Sequence, residues 1–378
     1  MRDAQIEQSD PIASLRMWTD EEFSGSCREW ERLLAHTSAN PLFMSWAWQH
    51  AWWREFAATL GSELQIHAAY SASGQLVGLA PFHLRRVRQR MLLRSARLES
   101  LGSSWRLNST VFSEYLDFIV RPEYMQSFLQ MLFERLRSDD CWHELIVANS
   151  PVGGCAARFA QEYLANTCYL RKADPLLAHR ADLPPRFDDY LAKLNGSTRR
   201  KLWNHRRRLR NPRLALCADT QIDAFLDEMD AFHISRWGKR HFVGQRRNFH
   251  RTYAKAMAGR GALHMSRLDE GQGTISMMYN IRLDGTEYNV QSGFSGTSPA
   301  GISPGYLHFG YCLEQACEEG VRHFDFLAGV GRSRDYKNDF NTQKVELSTL
   351  HAVRARPLAL LYRYHDRRRD IRERIARG

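Results

Sequence analysis

The sequence predicts an α+β (mixed α/β) fold, in which mixed and mostly antiparallel sheets are flanked by helices. Residues 287–340 read as a strand, a loop rich in glycine, serine and proline, a helix and a second short strand. Asp284 and Gly285 separate two strand-like segments, which is a strong hairpin signal. Both halves of the chain follow one rough order of helices, antiparallel strands, helix and strand. This shared order favours two similar domains in tandem.

The length of 378 residues is sufficient for two domains, each with a sizeable core. Pro184 and Pro185 mark a boundary in the middle of the chain. We therefore expect an N-terminal domain over residues 1–184 and a C-terminal domain over residues 185–354. Residues 355–378 are rich in arginine and form a basic C-terminal helix in this prediction. Because aspartate and glutamate are interspersed there, a solvated helix is favoured over a nucleic-acid arm.

The formal net charge of +11 favours polyanionic partners through long-range steering. Coenzyme A, an acidic carrier protein, transfer RNA and an anionic membrane face all meet this condition. The alternative explanation for the charge is that arginine-rich proteins are common in GC-rich genomes. The polar N-terminus does not read as a signal peptide, and no run of about 18 apolar residues predicts a transmembrane segment. A cytoplasmic location is expected, and seven scattered cysteines without a close CxxC pair favour reduced thiols and no metal.

Hydrophobic periodicity and breaker residues predict the individual elements. In the first half, strands are predicted at 12–18, 64–71, 76–87, 91–101, 115–120, 142–149 and 169–179, and helices at 19–35, 44–58, 122–137 and 154–166. In the second half, helices are predicted at 186–194, 196–210, 222–237, 246–258, 304–319 and 354–378, and strands at 213–218, 262–268, 274–283, 287–294, 322–327 and 345–352.

The loop from Ser295 to Gly305 is the candidate cradle for an anion. Pro304 suits the first turn of a helix, where its missing N–H would have had no partner. The backbone N–H groups near Ser303 and Gly305, with Tyr306 and His308 in the next turn, would face a phosphate at the positive end of the helix dipole. An ordinary glycine-rich turn is the alternative, because isolated glycine loops are weak signals.

Several segments, in order along nearly the whole chain, resemble one known family. They are NPLFMSWAWQHAWW (40–53), GLAPFHLRR (78–86), LNGSTRRKLWNHRRRL (194–209), QSGF (291–294), SPGYLHFGYCLEQACEEGVRHFDFLAG (303–329) and DYKNDF (335–340). This set is similar to the acetyltransferase-like proteins grouped with the cellulose-biosynthesis protein CelD. These belong to the GNAT superfamily and are related to FemAB-type aminoacyltransferases. The resemblance implies two GNAT-like domains in tandem and an acyltransferase activity.

The resemblance also implies that the pyrophosphate of coenzyme A binds the backbone after the strand 287–294. The sequence has Ser303-Pro-Gly where that superfamily usually has Gln/Arg-x-x-Gly-x-Gly/Ala. The donor therefore stays open between acyl-CoA, an acyl carrier protein and aminoacyl-tRNA. A splayed strand before the loop would offer backbone groups to the amide arm of the donor.

Acyl transfer to an amine needs a group that takes the amine proton and a donor to the leaving thiolate. Tyr336 follows the strand 322–327, where many GNAT enzymes have a tyrosine that protonates the thiolate. Asp325 is the candidate base, because a carboxylate on a core strand needs a partner or a function. Lys337 would pair with phosphate or with Asp325. For Tyr336 the alternative is a packed tyrosine, and for Asp325 it is a structural salt bridge to Lys337 or an arginine. His308 could also act as a base or contact phosphate, with a surface or packing role as the alternative.

Four further residues are predicted to contact substrate. Gln291 lies in the QSGF motif and Trp46 in an aromatic helix, for which core packing is the alternative. Arg199 and Arg200 lie in the STRRKLW motif, and Arg199 would share one helical stripe with Arg206 and Arg210 in a continuous helix. Such a stripe could bind phosphates, with a solvated basic face as the alternative.

These observations predict an N-acyltransferase that acts by direct attack of an amine on a thioester. The acceptor would be a sugar, an amino acid, or an envelope or secondary-metabolite precursor. A Fem-like aminoacyltransferase using aminoacyl-tRNA is the first alternative, and a non-catalytic scaffold in exopolysaccharide synthesis is the second.

Overall fold

The computed structural model describes residues 10–89, 93–173, 175–271, 273–295, 301–329 and 335–377. The chain divides into two compact units. The first contains residues 1–175 and 347–378, and the second contains residues 176–346. Among the described residues, no helix has the length and apolarity needed to cross a membrane.

The first 175 residues contain seven strands and five α-helices in their described part. They are β1 (Ile12–Trp18), α1 (Asp20–Gly25), α2 (Cys27–Leu34), α3 (Trp46–Leu60), β2 (Ser62–Ser71), β3 (Leu76–Gln89), β4 (Leu93–Ser100), β5 (Ile119–Val120), α4 (Met125–Ser138), β6 (Glu144–Pro151), α5 (Cys155–Phe159) and β7 (Tyr169–Lys172). A π-helical turn, Ala160–Leu164, continues α5.

The remaining described residues contain the other elements. They are β8 (Leu176–Asp182), α6 (Phe187–Ala192), α7 (Gly196–Leu202), β9 (Arg213–Leu216), α8 (Ile222–Trp237), α9 (Gly244–Ala258), β10 (Leu263–Glu270), β11 (Gly273–Leu283), β12 (Thr286–Phe294), α10 (Pro304–Glu318), β13 (His323–Asp325), β14 (Gln343–Val353) and α11 (Arg356–Arg377). Short 3₁₀ segments lie at Asn204–Arg208 and Asp335–Phe340.

Local signals explain why many elements begin and end where they do. Thr19 and Glu22 form a reciprocal capping box at the start of α1. Asp284 and Gly285 have φ values of 47° and 72°, as the tight turn between β11 and β12 requires. Gly320, with φ of 73°, follows the end of α10 in the left-handed conformation predicted for it.

The sheet of the first unit has the strand order β1-β2-β3-β4-β6-β14. All neighbours are antiparallel except β4 and β6, which are parallel. Its core is a large cluster that includes Phe82, Phe128, Trp142 and Leu350. The second unit has the order β8-β13-β12-β11-β10-β9, and only β12 and β13 are parallel. Its main cluster includes Tyr190, Phe309, Phe324 and Phe340. The predicted α+β class with mixed, mostly antiparallel sheets is confirmed.

The first unit is formed by two separate segments of the chain, whereas the second is one continuous segment that begins with β8. Strand β8 follows the elements of the first unit in the chain but pairs with β13 of the second. Residues 347–353 of β14 follow the second unit but pair with β6 of the first, and Leu358 and Tyr362 of α11 pack against Val353. The limits of the compact units thus lie elsewhere than the predicted domain boundaries at 184/185 and 354/355, which remain a prediction.

Several element predictions are wrong. The predicted helix 19–35 is two helices, α1 and α2, and only Ile119 and Val120 of the predicted strand 115–120 form a strand, β5. The predicted strand 169–179 is two strands, β7 and β8, which have different partners. The predicted helix 196–210 ends at Leu202, because Trp203 leaves the helical conformation with φ −133° and ψ −52°.

Candidate active site

The parallel strands β12 and β13 separate at their carboxyl ends. They pair only over Thr286–Tyr288 and His323–Asp325, whereas β12 continues to Phe294. The register between β11 and β12 also shifts around Val290, which indicates a bulge. Beyond Tyr288, the β13-facing edge of β12 therefore has no strand partner in the part of the chain that the structure describes. Ligands of open α/β sheets bind at such carboxyl ends.

Helix α10 begins beside this fork. Ser303 is its N-cap residue, makes no side-chain capping bond, and is followed by Pro304 at the first helical position. The N–H groups of Gly305 and Tyr306 lie in the first turn, where helical N–H groups have no intrahelical acceptor. This end of a 15-residue helix carries positive potential for an anion. Residues 296–300 of the predicted cradle lie outside the described residues.

Two close approaches show how tightly this region is packed. A Cβ atom on Gly305 would lie 3.2 Å from the ring of Phe294, and one on Gly301 would lie 3.2 Å from the Arg208 guanidinium. Gly301 has φ of 80°, a conformation that glycine adopts readily. Arg208 thus brings a positive charge to the loop that leads into α10.

Asp325 and Lys337 both stabilise the turn that follows β13. The Asp325 carboxylate accepts a hydrogen bond from the Leu327 N–H at 2.7 Å. The buried Lys337 ammonium donates to the carbonyl oxygens of Phe326, Leu327 and Ala328 at 2.8, 2.7 and 2.9 Å. These bonds explain how Leu327 keeps a positive φ of 57°. The two predicted catalytic residues are therefore brought to one turn, and at least one function of each is structural.

Tyr336 lies among the aromatic rings of Tyr306, Phe309 and Phe340, at centroid distances of 6.2, 6.4 and 6.2 Å. Burial raises its pKa to about 12, and the positive charge of Arg236 opposes this shift. Among the described residues its hydroxyl makes no hydrogen bond. The Tyr306 hydroxyl, in contrast, donates to Asp339 at 2.7 Å. Of these two tyrosines, Tyr336 is the one with an uncommitted donor.

His308 lies in the core and not at the ligand face of α10. Its side chain is fully buried, with Nε2 2.9 Å from the Ser266 hydroxyl and Nδ1 3.0 Å from the Ser276 hydroxyl. Burial lowers its pKa to about 3. This geometry agrees with the alternative, in which His308 has a packing role. A fully buried imidazole between two serine hydroxyls is not placed to contact phosphate or an amine.

The burial of His308 predicts acid sensitivity. Its pKa of about 3 lies below the ordinary histidine value of about 6.5. As the pH falls, His308 therefore takes up a proton in the unfolded chain before it does so in the folded protein. Its contribution to the free energy of unfolding is complete above pH 6.5 and is lost as the pH falls toward 3. This costs about 1.4 kcal/mol per pH unit in the free energy of unfolding. His308→Gln, which keeps a neutral donor and acceptor, should reduce that slope between pH 6 and 4 in urea titrations. Equal slopes for both proteins would contradict the assignment.

Gln291 is part of a polar cluster that the sequence did not reveal. Its Nε2 lies 3.2 Å from His241 Nε2, while its Oε1 accepts a hydrogen bond from the Ser292 N–H. Because the amide nitrogen can only donate, His241 Nε2 is the acceptor and the imidazole is neutral. Burial lowers the pKa of His241 to about 4, which agrees with this tautomer.

Asp230 and His233 position this cluster. The Asp230 carboxylate accepts hydrogen bonds from the N–H groups of His241 and Phe242 at 2.7 and 3.0 Å, which fixes the segment after α8. His233 Nε2 lies 3.3 Å from the Ser292 carbonyl oxygen on β12. The presence of Asp230 and His233 one turn apart on α8 was the available sequence signal. Nothing in the sequence joined them to Gln291, which lies about 60 residues further on.

The prediction that Arg199, Arg206 and Arg210 share one helical stripe is wrong, because the helix ends at Leu202. Arg199 and Arg200 are exposed on α7, whereas Arg206 lies on the following 3₁₀ segment. The Arg206 guanidinium stacks 3.3 Å from the Trp203 ring centroid, a cation–π contact that fixes its direction. The exposed arginines remain a basic face without the predicted common stripe.

Trp46 belongs to the first unit, whereas the other predicted site residues belong to the second. Its indole N–H donates to the Phe23 carbonyl at 2.8 Å, and its ring stacks on His50 at 4.2 Å. These contacts account for its conformation through packing in that unit.

Comparisons with known proteins concern the fold of the chain. Residues 196–338 match a family model described as acetyltransferase (GNAT) domain. The crystal structure of FemX is similar at 11% identity and a TM-score of 0.62, over 92% of this chain and 99% of that chain. A conserved protein of unknown function from Bacteroides thetaiotaomicron VPI-5482 has 10% identity and a TM-score of 0.52, over 90% and 99%. At such identities the structures show the fold alone. No curated protein matches the sequence.

Proposed function

The chain contains a GNAT-type acetyltransferase domain over residues 196–338, and on that premise we propose that it transfers an acyl group from a thioester donor to an amine. The observation that carries the proposal is the fork between β12 and β13 with the first turn of α10 beside it. The amine nitrogen attacks the thioester carbon, the C–S bond breaks, and the thiolate leaves. The attacking primary amine is uncharged, so one of its two protons stays on the nitrogen of the product amide and the other reaches the thiolate.

The donor would be acyl-CoA or an acylated carrier protein. Its phosphate would bind the N–H groups of Gly305 and Tyr306, with Arg208 adding positive charge near Gly301. Its amide arm would pair with the edge of β12 beyond Tyr288, which β13 does not cover. An extended amide chain on an open strand edge forms backbone hydrogen bonds without a dedicated side chain.

The acceptor amine is proposed to bind near Gln291 and His241. The neutral His241 imidazole offers a lone pair that now accepts from Gln291, and an amine N–H can replace that donor. The depressed pKa keeps this lone pair free of a proton at neutral pH. His241 would thus accept a hydrogen bond from the amine and orient its nitrogen, whose uncharged form is the one that attacks. An amine of a sugar, an amino acid, or an envelope or secondary-metabolite precursor would suit this role.

Tyr336 is proposed to stabilise the leaving thiolate. Its raised pKa keeps the hydroxyl protonated, so that it donates a hydrogen bond as negative charge develops on sulfur. A free thiol has a pKa of about 8.5, so complete proton transfer from Tyr336 is uphill. The proton that remains on sulfur therefore comes from the amine. We assign Asp325 and Lys337 to the turn that positions Tyr336 and not to proton transfer.

Replacing Tyr336 by phenylalanine tests this assignment. With acetyl-CoA as donor and glucosamine and lysine as probe amines, thiol release should fall about 100-fold at nearly unchanged KM. Tyr311→Phe is the matched control, since Tyr311 is a half-buried tyrosine of α10 that packs on Trp203. Its turnover should equal that of the wild type. Full activity of the Tyr336→Phe variant would refute the role of Tyr336.

Aminoacyl-tRNA is a second candidate donor, because the arginines at 199, 200, 207 and 208 are exposed near the start of the same domain. Phosphate contacts make nucleic-acid binding strongly dependent on salt. Transfer from charged tRNA, with binding that weakens steeply between 50 and 200 mM salt and no turnover with acyl-CoA, would replace the thioester proposal. Absence of turnover with every donor would favour a scaffold.

A further inference from the structure

Helix α11 has two apolar faces, of which one is buried and the other is exposed. One packs in the first unit, where Leu358 and Tyr362 are buried. On the other face, Leu360, Tyr364 and Ile371 are 65%, 52% and 57% exposed. The spacings of four and seven residues place these three side chains within about 40° of each other on the helix. The result is an outward apolar stripe opposite the packed face.

Arginines flank this stripe on both sides. Arg356, Arg367 and Arg368 are exposed, and all three lie within about 80° of Leu360 around the helix. The Arg368 guanidinium lies 5.0 Å from the Tyr364 ring centroid, which keeps a cation directly at the edge of the stripe. The outward face of α11 thus has an apolar centre and positively charged edges.

Asp366, an acidic residue of this helix, is engaged on the packed side. Asp366 accepts two hydrogen bonds from the Arg171 guanidinium at 2.7 Å each and one from the Tyr169 hydroxyl at 3.0 Å. These bonds are on the packed side and fix the rotation of the helix about its axis. The stripe is therefore held outward by a specific salt bridge and by the burial of Tyr362.

From this arrangement we propose that α11 binds the surface of an anionic lipid membrane. The apolar stripe enters the boundary between headgroups and acyl chains, and the flanking arginines pair with lipid phosphates. A helix with a strongly cationic polar face and exposed leucine, isoleucine and aromatic residues has the chemistry of an interfacial helix. A net charge of +11 attracts the whole protein to the same surface. From Leu360 to Ile371 the stripe provides about 17 Å of contact along the membrane plane.

Vesicle co-sedimentation of the full-length protein tests the proposal. The wild type should bind vesicles of phosphatidylglycerol and phosphatidylcholine at least tenfold more tightly than vesicles of phosphatidylcholine alone. Binding should weaken at least tenfold between 50 and 500 mM salt. The double variant Leu360→Ser/Ile371→Ser should lose at least tenfold in binding at low salt, with an unchanged thermal midpoint because both side chains are exposed.

The chain offers a matched control in Leu216 and Ile234, an exposed leucine on β9 and an exposed isoleucine on α8. Leu216→Ser/Ile234→Ser should bind vesicles as the wild type does. The proposal is overturned if the wild type does not bind, or if both double variants bind equally well. It is also overturned if sedimentation velocity without lipid shows a dimer that the α11 variant alone loses, because a second copy then covers the stripe.

Discussion

Replacing Gly310 by alanine should destabilise the protein by about 4 kcal/mol. Gly310 lies in the middle of α10 where that helix crosses α7. A Cβ atom there would lie 2.1 Å from the carbonyl oxygen of Leu202 and 3.1 Å from its carbonyl carbon. Since the obstacle is backbone, no side-chain rotation can relieve the clash, and the two helices must move apart. The gain in helix propensity from alanine is only about 1 kcal/mol.

Urea unfolding measures this effect. Gly196→Ala is the control, because Gly196 opens α7 itself and a Cβ atom there has no neighbour within 4 Å. The control should be at least as stable as the wild type. If Gly310→Ala unfolds at the same urea concentration as the control, the close crossing of α7 and α10 is wrong.

Most elements of the second unit could be predicted because their signals are local. The predicted helix at 222–237 matches α8, and the predicted strand at 287–294 begins one residue after the first residue of β12. Asp284 and Gly285 specify their turn without help from the rest of the fold. Where the neighbouring residues alone determine the backbone conformation, periodicity and breaker residues are sufficient.

The errors occur where tertiary contacts decide the conformation. Residues 196–210 have helical composition, but Leu202 must pack under Gly310 and Trp203 under Arg206, and the helix ends there. Strand β8 has no local signal that directs it to β13 and away from the preceding elements. The membership of β8 in the second unit and of residues 347–353 in the first therefore could not be read from composition or from the prolines at 184 and 185.

The candidate site was predictable in its backbone and less so in its side chains. The start of α10 and the uncovered edge of β12 follow from the β–loop–α–β pattern. Asp230, His233 and His241 join Gln291 only through the packing of α8 on β12, a contact between distant segments. His241 is partly buried and His308 is fully buried, and this difference also depends on how distant segments pack.

Lys337 was predicted to take part in catalysis, and the structure gives it a defined structural role. Sequence reasoning could see that a lysine follows Tyr336, but not that its ammonium group meets three consecutive carbonyl groups. Such groups at the end of a strand need donors when they are buried. Lys337 supplies a charged donor with three N–H bonds for three acceptors. Lys337, together with Asp325, therefore holds the turn that follows β13.

Lys337→Met should consequently lower the free energy of unfolding by about 3 to 5 kcal/mol. Methionine fills a similar volume but leaves the carbonyl groups of Phe326, Leu327 and Ala328 without this donor. Urea unfolding gives the loss directly, with Lys344→Met, at an exposed lysine of β14, as the control that should remain near wild type.

A second measurement separates the structural role from a catalytic one. Lys337→Gln keeps a hydrogen-bond donor without the charge, so its stability should lie between those of the wild type and the methionine variant. If acyl transfer falls in proportion to the folded fraction across these variants, Lys337 acts through the turn. If the methionine variant is fully stable yet inactive, the ammonium group serves the reaction itself, and the assignment of Lys337 to the turn is wrong.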